Sequence, residues 1–199
     1  MDVYGFNLEH GQETGGFIWI RSNDETQGSN YIGAGWNVYP EGYNDSHAHF
    51  TTFWFVDPSK GCLDMNCPGF QSTGGSHPII PGQDPKTGDW EIYYGFNGEA
   101  KIIGFYPRHL FTSLSYKPVN IVFGGVVSHV EDKLSPPMGS GIAPPKDDAA
   151  SFSNLKFFDA AGNAYPIDRK LEYMSSSCYL VTDIASYKFF YGGPGNVCS

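Results

Sequence analysis

Short runs of apolar and aromatic residues recur along the chain, and turn-forming residues separate them. The runs are rich in β-branched and aromatic side chains, which is typical of half-buried strands. An Asn97-Gly98 pair between two of the runs predicts a tight hairpin turn. The pattern predicts strands at residues 17–20, 31–39, 50–56, 90–96, 100–105, 121–123, 126–127, 152–158, 178–182 and 187–191.

Only residues 107–114 have the pattern of a helix. Pro107 suits a first helical turn, and Leu110, Phe111 and Leu114 follow at helical spacing. Residues 134–148 contain four prolines and predict a long ordered surface loop. We therefore predict an all-β fold, an antiparallel β-sandwich with one short helix, in a single domain that spans residues 1–199.

Composition narrows the class of protein further. The 199 residues include 25 Gly and 14 Pro, which fits a turn-rich β protein and excludes a coiled coil. Hydrophobic residues make up 40% of the chain, enough to build a core, so a disordered chain is excluded. A net charge of -9 provides no attraction for nucleic acid or an anionic membrane, and no apolar run is long enough to span a bilayer. We expect neither partner, and the oligomeric state stays open.

The cysteines bear on the cellular compartment. Four cysteines allow three connectivities, of which the pairing of sequence neighbours is the simplest; four unpaired buried thiols are the alternative. Disulfides would indicate an oxidising compartment, so we expect a secreted, vacuolar or extracellular protein. The glycosylation sequon at Asn44 agrees weakly. The first residues lack the features of a signal peptide, which fits either a mature chain or a cytosolic protein. The neighbour pairs are Cys62 with Cys67 and Cys178 with Cys198.

Few residues offer chemistry of their own. His47 and His49 share one strand face and could bind a metal with Asp45, although two solvent-facing histidines are the more common arrangement. Glu91 stands between Trp90 and Ile92 and is a weak candidate acid, or else a glutamate on the polar face of a sheet. No phosphate-binding loop or other cofactor motif is present, so we expect no cofactor and no metal.

Seven sequence blocks, spread over almost the whole chain, together match one known family. Residues 31–45 read YIGAGWNVYPEGYND and resemble the block EAGW.V.P.LYGD of neprosin-like glutamic peptidases. The six other blocks follow in the order of the family. They are residues 61–70 for GC…CPGF, 84–90 for DPKTGNWW, 103–114 for GYWP..LF..L, 123–127 for WGGEV, 138–141 for MGSG and 191–198 for YGGPG…C.

The resemblance implies a β-sandwich that plants secrete, with the two neighbour disulfides and no cofactor. Family members are usually made with an N-terminal activation segment, which this sequence lacks together with a signal peptide. Active members cleave peptides near proline at acidic pH. They use two glutamates, one on each of two neighbouring strands of a concave sheet, to activate water and to transfer protons.

Both glutamates are replaced in this sequence. Gly33 stands where the first family glutamate precedes Ala-Gly-Trp, and Val126 stands where the second follows Gly-Gly. Neither residue can accept or donate a proton, and each lost acid or base typically costs about 10²–10⁴-fold in rate. The resemblance therefore predicts a family member without catalytic residues.

The groove of the family would keep a floor of small and aromatic residues. Strand alternation places six candidate groove residues, which are named at the end of this paragraph, on the same strand faces as Gly33 or Val126. We expect the groove to bind an extended peptide, for example a proline-rich one, or a glycan, with a role in defence or storage. Two alternatives remain: an acid-acting endopeptidase that uses other carboxylates such as Glu91, and a storage or toxic defence protein that acts through another surface. The groove candidates are Tyr31, Gly35, Asn37, Tyr39, Gly124 and Ser128.

Overall fold

A computed structural model of the protein shows the fold. It describes residues 1–24, 28–56, 60–64, 68–73, 80–94, 101–114, 116, 119–159, 161, 163–168 and 175–196. Every strand pair with a described register is antiparallel. The structure confirms an all-β fold with antiparallel sheets and one short α-helix.

The strands among the described residues form four sheets. A five-stranded sheet has the order β4-β3-β2-β1-β9, and a four-stranded sheet has the order β5-β8-β7-β6. The two smaller sheets have the orders β10-β14-β13 and β11-β12. The strands are β1 (Gln12–Asp24), β2 (Gly28–Val38), β3 (His49–Val56), β4 (Lys60–Leu63), β5 (Gln71–Ser72), β6 (Ile80–Gln83), β7 (Trp90–Tyr94), β8 (Lys101–Tyr106), β9 (Asn120–His129), β10 (Ala150–Ser153), β11 (Lys156–Phe158), β12 (Ala164–Pro166), β13 (Leu180–Val181) and β14 (Lys188–Gly192).

The chain divides into two compact units, which are described separately. Unit 1 comprises Met1–Gly16, Trp36–His49 and Gly124–Ser199, and unit 2 comprises Phe17–Gly35 and Phe50–Phe123. Strands β1, β2 and β9 each contribute residues to both units. The family resemblance implied that Gly33 and Val126 lie on neighbouring strands. This expectation is wrong, because in the large sheet β1 lies between β2 and β9.

The core of unit 2 lies between two sheets. Strands of the five-stranded sheet contribute alternate residues such as Ile32 and Trp54, and the four-stranded sheet contributes Ile92 and Tyr106. Alternation arises because successive side chains in a strand point to opposite faces. Asn30 is fully buried. Its side-chain oxygen accepts hydrogen bonds from the backbone N–H groups of residues 112 and 113, which anchors this loop to the core.

The position of the helix differs from the prediction. Residues 107–114 contain only a 3₁₀ helix at Arg108–Leu110, because the chain returns to extended backbone at Phe111. The short α-helix is α1 (Pro40–Tyr43), which begins at a proline and ends at Asn44 in the left-handed conformation, with φ of 63°. A proline in the first turn and a left-handed residue after the last turn are common at helix ends, and the sequence has Pro40 and Asn44 at these positions.

Several smaller predictions have mixed outcomes. Residues 121–127 form one continuous strand, β9, rather than two runs about the glycines. Residues 152–158 instead divide between β10 and β11. The Asn97-Gly98 turn, Cys67 and Cys198 lie outside the described residues, so the hairpin turn and the two disulfides stay predictions. Within the described residues, no helix has the length and apolar character needed to cross a membrane.

Candidate functional site

Gly33 lies in the middle of β2, in unit 2, and its backbone carbonyl accepts a hydrogen bond from a side chain of β3. Thr52 Oγ1 donates a hydrogen bond to the Gly33 carbonyl over 2.9 Å and lies 3.0 Å from the Tyr106 hydroxyl. A Cβ atom at Gly33 would lie 2.7 Å from Trp19 Cβ and 2.8 Å from Phe53 Cε1. Atoms this close would overlap, so the space for a side chain at Gly33 is already filled by two aromatic residues.

These aromatic residues belong to a larger surface, which we call the aromatic face. The Phe53 ring packs edge-on against Phe17, with ring centroids 5.7 Å apart, and lies 5.9 Å from the Phe55 ring. Phe17 is buried, whereas the other rings of the face are partly exposed. Strand alternation puts the cation–π pair of Arg21 and Tyr31 on the same face. The aromatic face consists of Phe17, Trp19, Arg21, Tyr31, Phe53 and Phe55.

The second family position, Val126, lies on β9 within unit 1. A Cβ at the preceding Gly125 would lie 2.9 Å from Tyr191 Cε2, and a Cβ at Gly16 of β1 would lie 2.7 Å from the Tyr191 hydroxyl. Gly16 and Gly125 therefore face Tyr191. By alternation, Val126 and Glu13 lie on the opposite face of the two neighbouring strands β1 and β9.

Glu13 is a carboxylate that the sequence analysis did not single out. Asn37, only 1% exposed, donates from Nδ2 to Glu13 Oε1 over 2.9 Å. Tyr43 closes the group by donating from its hydroxyl to Asn37 Oδ1 over 3.3 Å. Glu13 stands 24 positions before Asn37, so only the register of β1 against β2 brings the two side chains together.

The contacts continue from Tyr43 to the histidine motif. The Tyr43 ring stacks on the His49 ring, with centroids 4.1 Å apart and planes inclined by 23°. His49 Nε2 lies 2.8 Å from Asp45 Oδ1, and the backbone N–H of His47 donates to the same carboxylate. We call the five residues that these contacts join the polar chain: Glu13, Asn37, Tyr43, His49 and Asp45.

The electrostatics of Asp45 follow from its donors. The hydrogen bond with the His49 side chain, then that from the His47 backbone, lower the pKa of Asp45 from 3.8 to about 2. The His47 side chain is 85% exposed and lies 3.5 Å from Asp45. Among the residues that the structure describes, no group of three or more His, Cys, Asp and Glu side chains has the arrangement of a metal site.

Glu91, the candidate substitute acid, lies on β7 in the four-stranded sheet. Its neighbours Trp90 and Ile92 are buried, whereas Glu91 is half-buried and accepts a hydrogen bond from the Tyr93 hydroxyl over 2.5 Å. This hydrogen bond, together with burial, raises the pKa of Tyr93 to about 12. Gly33 lies in a different sheet, so the structure does not bring Glu91 to the strand of a family position.

The remaining groove candidates differ in what surrounds them. Tyr39 lies just after β2 and turns towards α1, where its ring meets Tyr43 edge-on at 6.2 Å. Asn44, of the sequon, is exposed at the end of α1. The half-buried Tyr31 belongs to the aromatic face, and Gly35 is buried in β2. Gly124 lies two residues before Val126 on β9 and Ser128 lies two residues after it, so the three residues share one face of the strand.

The fold is all-β and antiparallel, with an aromatic surface around Gly33 and an apolar residue at position 126. The family model of neprosin matches residues 10–82 and 79–194. Because these residues make up most of the chain, the protein belongs to the neprosin family, which is a family of proteases.

Proposed function

We propose that this protein is a catalytically inactive neprosin-family member that binds an extended peptide or a glycan along the former active-site groove. The observation that carries the proposal is the environment of Gly33. A glutamate there would have to displace Trp19 Cβ, which is fixed to the backbone, as well as the Phe53 ring. The family position has lost its carboxylate and also the space that a carboxylate would need.

The aromatic face supports a binding role. Partly exposed rings can stack on the flat apolar faces of sugar or proline rings, and aromatic pairs contribute about 0.5–1.5 kcal/mol beyond the area they bury. The rings of Phe53 and Phe55 hold each other in place, so little side-chain entropy is lost when a ligand binds. Arg21 adds a hydrogen-bond donor beside Tyr31.

A secreted or vacuolar location is part of the proposal. Cys62 and Cys178, the cysteines that the structure describes, are not free thiols, which supports disulfide bonding. The pairing of Cys62 with Cys67 and of Cys178 with Cys198 is part of the proposal. Asn44 is exposed, as a glycosylated asparagine must be. Mass measurement of the intact protein before and after reduction tests the disulfides, since each one adds two hydrogens on reduction.

The proposed loss of catalysis is tested with proline-rich peptides in mildly acidic buffer, followed by mass spectrometry. We expect no cleavage above a blank without protein. Cleavage that disappears in a Glu91→Gln variant would contradict the proposal and favour an endopeptidase that uses other carboxylates. The same experiment with Glu13→Gln tests the other carboxylate described above.

The proposed binding is tested by a glycan array and by titration of proline-rich peptides. We expect Phe55→Ala to weaken binding between roughly twofold and tenfold, because one stacking ring is lost. Phe158→Ala is the matched control, since Phe158 is 47% exposed and lies outside the aromatic face. Absence of binding to every glycan and peptide would leave a role through another surface, in storage or defence.

A further inference from the structure

Tyr191 is a buried tyrosine, only 4% exposed, whose hydroxyl group has no hydrogen-bond partner among the residues that the structure describes. Its ring is held by the rings of Phe152 and Phe189, whose centroids lie 5.2 Å and 6.2 Å away. The hydroxyl lies beside Gly16, where a Cβ atom would be only 2.7 Å from it. Buried tyrosine hydroxyls usually make a hydrogen bond, and an unmade bond costs free energy. The Tyr191 hydroxyl is therefore fixed in position and free to bind a ligand.

A small cleft lies next to this hydroxyl, entirely within unit 1. Its volume is about 280 Å³ with the solvent-open mouth included, and its inner part has room for little more than one water-sized group. Tyr191 packs on the face of β1 and β9 opposite to Val126, and neither Gly33 nor Val126 lines the cleft, so the cleft is separate from the family positions. Besides Tyr191, the aromatic residues that line it are Tyr4, Phe6 and Trp36.

The polar groups of the cleft restrict the chemistry of a ligand. Asp2 Oδ2 accepts hydrogen bonds from the backbone N–H and the hydroxyl of Ser151, over 2.8 Å and 2.9 Å, which holds the carboxylate in place. The hydroxyl of Thr14 is engaged, since it donates to the Pro137 carbonyl over 2.6 Å. Burial and then the negative charge of Asp2 raise the pKa of Tyr191, so its hydroxyl stays a donor. A ligand group must therefore accept from Tyr191, and it cannot be an anion, because Asp2 would repel it.

We propose that this cleft binds a hydroxyl group of a neutral sugar, which accepts a hydrogen bond from the Tyr191 hydroxyl. A hydroxyl group is about as large as a water molecule, so it fits the inner part of the cleft. It can accept from a tyrosine and also donate to a carboxylate such as Asp2, whereas an ammonium group can only donate. The aromatic walls offer apolar surface to the carbon atoms of the sugar ring. The cleft shares no residue with the aromatic face, so this inference is independent of the proposed function.

The test is an NMR titration of the isotopically labelled full chain with the methyl glycosides of glucose, galactose and mannose. We expect at least one glycoside to shift the indole N–H signal of Trp36, and the concentration dependence of the shift gives the affinity. Tyr191→Phe removes the hydroxyl and keeps the ring, so the affinity should fall about three- to tenfold, as for one lost hydrogen bond. Its urea midpoint should equal that of wild type, because the hydroxyl bonds to no described residue. Tyr187→Phe is the matched control at an exposed tyrosine of unit 1, and it should change neither quantity.

Several results would overturn the inference and leave the proposed function in place. If no glycoside shifts the Trp36 signal, the cleft holds solvent only. If Tyr191→Phe binds as tightly as wild type, or unfolds at a lower urea concentration, the hydroxyl serves the structure rather than a ligand. Tighter binding of N-methylacetamide than of every glycoside would assign the cleft to an amide instead. Phe55→Ala should keep the glycoside affinity, and a loss in that variant would place the sugar on the aromatic face.

Discussion

The aromatic face of unit 2 and the polar chain of unit 1 are organised by different forces. Around Gly33, rings fill the space by van der Waals contact, and a side chain at that position would overlap with Trp19 and Phe53. Around Asn37, hydrogen bonds hold Glu13 and Tyr43 in place. The comparison teaches that ring packing leaves no space for a side chain at Gly33, whereas hydrogen bonds hold the ionisable side chains of the polar chain.

The largest effect is expected from adding a methyl group to the packed region. Gly33→Ala should lower the free energy of unfolding by about 2 kcal/mol, because overpacking forces neighbouring side chains from their preferred positions. Urea denaturation measures the change. Gly82→Ala is the matched control, since a Cβ at Gly82 would have no atom within 4 Å.

A second variant shows which neighbour causes the loss. Replacing Phe53 by leucine removes the ring that contacts Gly33. The double variant Gly33→Ala/Phe53→Leu should therefore lose less free energy of unfolding than the sum of the losses in the two single variants. Strict additivity would mean that the ring of Phe53 does not occupy this space, and the account of the family position would then fail.

A smaller effect is expected in the polar chain. Asn37→Ala removes the donor to Glu13 and the acceptor for Tyr43, and it should cost about 1–2 kcal/mol of stability. Thermal and urea unfolding measure the loss, with Asn7→Ala as a control at an exposed asparagine of the same unit. A double-mutant cycle with Glu13→Ala isolates the contact, and a coupling energy near zero would show that the two side chains do not interact.

The sequence predicts which aromatic residues lie in strands, but it does not predict which residues they contact. Alternation within runs such as residues 50–56 identifies strands and core residues, because burial imposes a period of two on each strand. It does not show that Phe53 fills the space at Gly33, since that contact depends on the register between β2 and β3. The family resemblance predicts that Gly33 stands at a glutamate position, and only the structure shows that the space beside Gly33 is filled.

The polar chain is harder to predict, because no local pattern marks it. Glu13 stands in the polar stretch Gln12-Glu13-Thr14-Gly15-Gly16, which does not have the alternation of a half-buried strand. The helix α1 was missed since it has only four residues, although Pro40 and Asn44 carry its start and stop signals. The helix predicted at residues 107–114 was wrong because the 3₁₀ helix ends at Leu110 and the backbone is extended at Phe111.

Acidic pH should lower the stability of the folded protein by protonating Asp45 in the polar chain. Its pKa lies at about 2 in the folded protein, below the ordinary 3.8, because His49 and the His47 backbone donate to the carboxylate. A carboxyl group with a lowered pKa stabilises the folded state above its unfolded pKa, and this contribution is lost as the pH falls through the folded pKa. The stability difference between wild type and Asp45→Asn should therefore be full above pH 3.8 and decline towards pH 2.

Unfolding curves at a series of acidic pH values measure this difference. Asp132→Asn, at an exposed carboxylate in unit 1, controls for the loss of one negative charge. A difference for Asp45→Asn that does not change with pH would mean that the hydrogen bond with His49 is not formed in solution.

The smallest effect concerns Glu91, the one candidate acid that the sequence analysis named. The Tyr93 hydroxyl donates to Glu91, and this hydrogen bond, before burial and the negative charge, raises the pKa of Tyr93 to about 12. Glu91→Gln should lower that pKa towards 10, as followed by NMR of labelled tyrosine rings with Tyr93→Phe for assignment. An unchanged pKa would mean that Glu91 is not engaged by Tyr93 and is available for other chemistry. The expected decrease would instead identify Glu91 as the hydrogen-bond acceptor of a neighbouring tyrosine on its own strand.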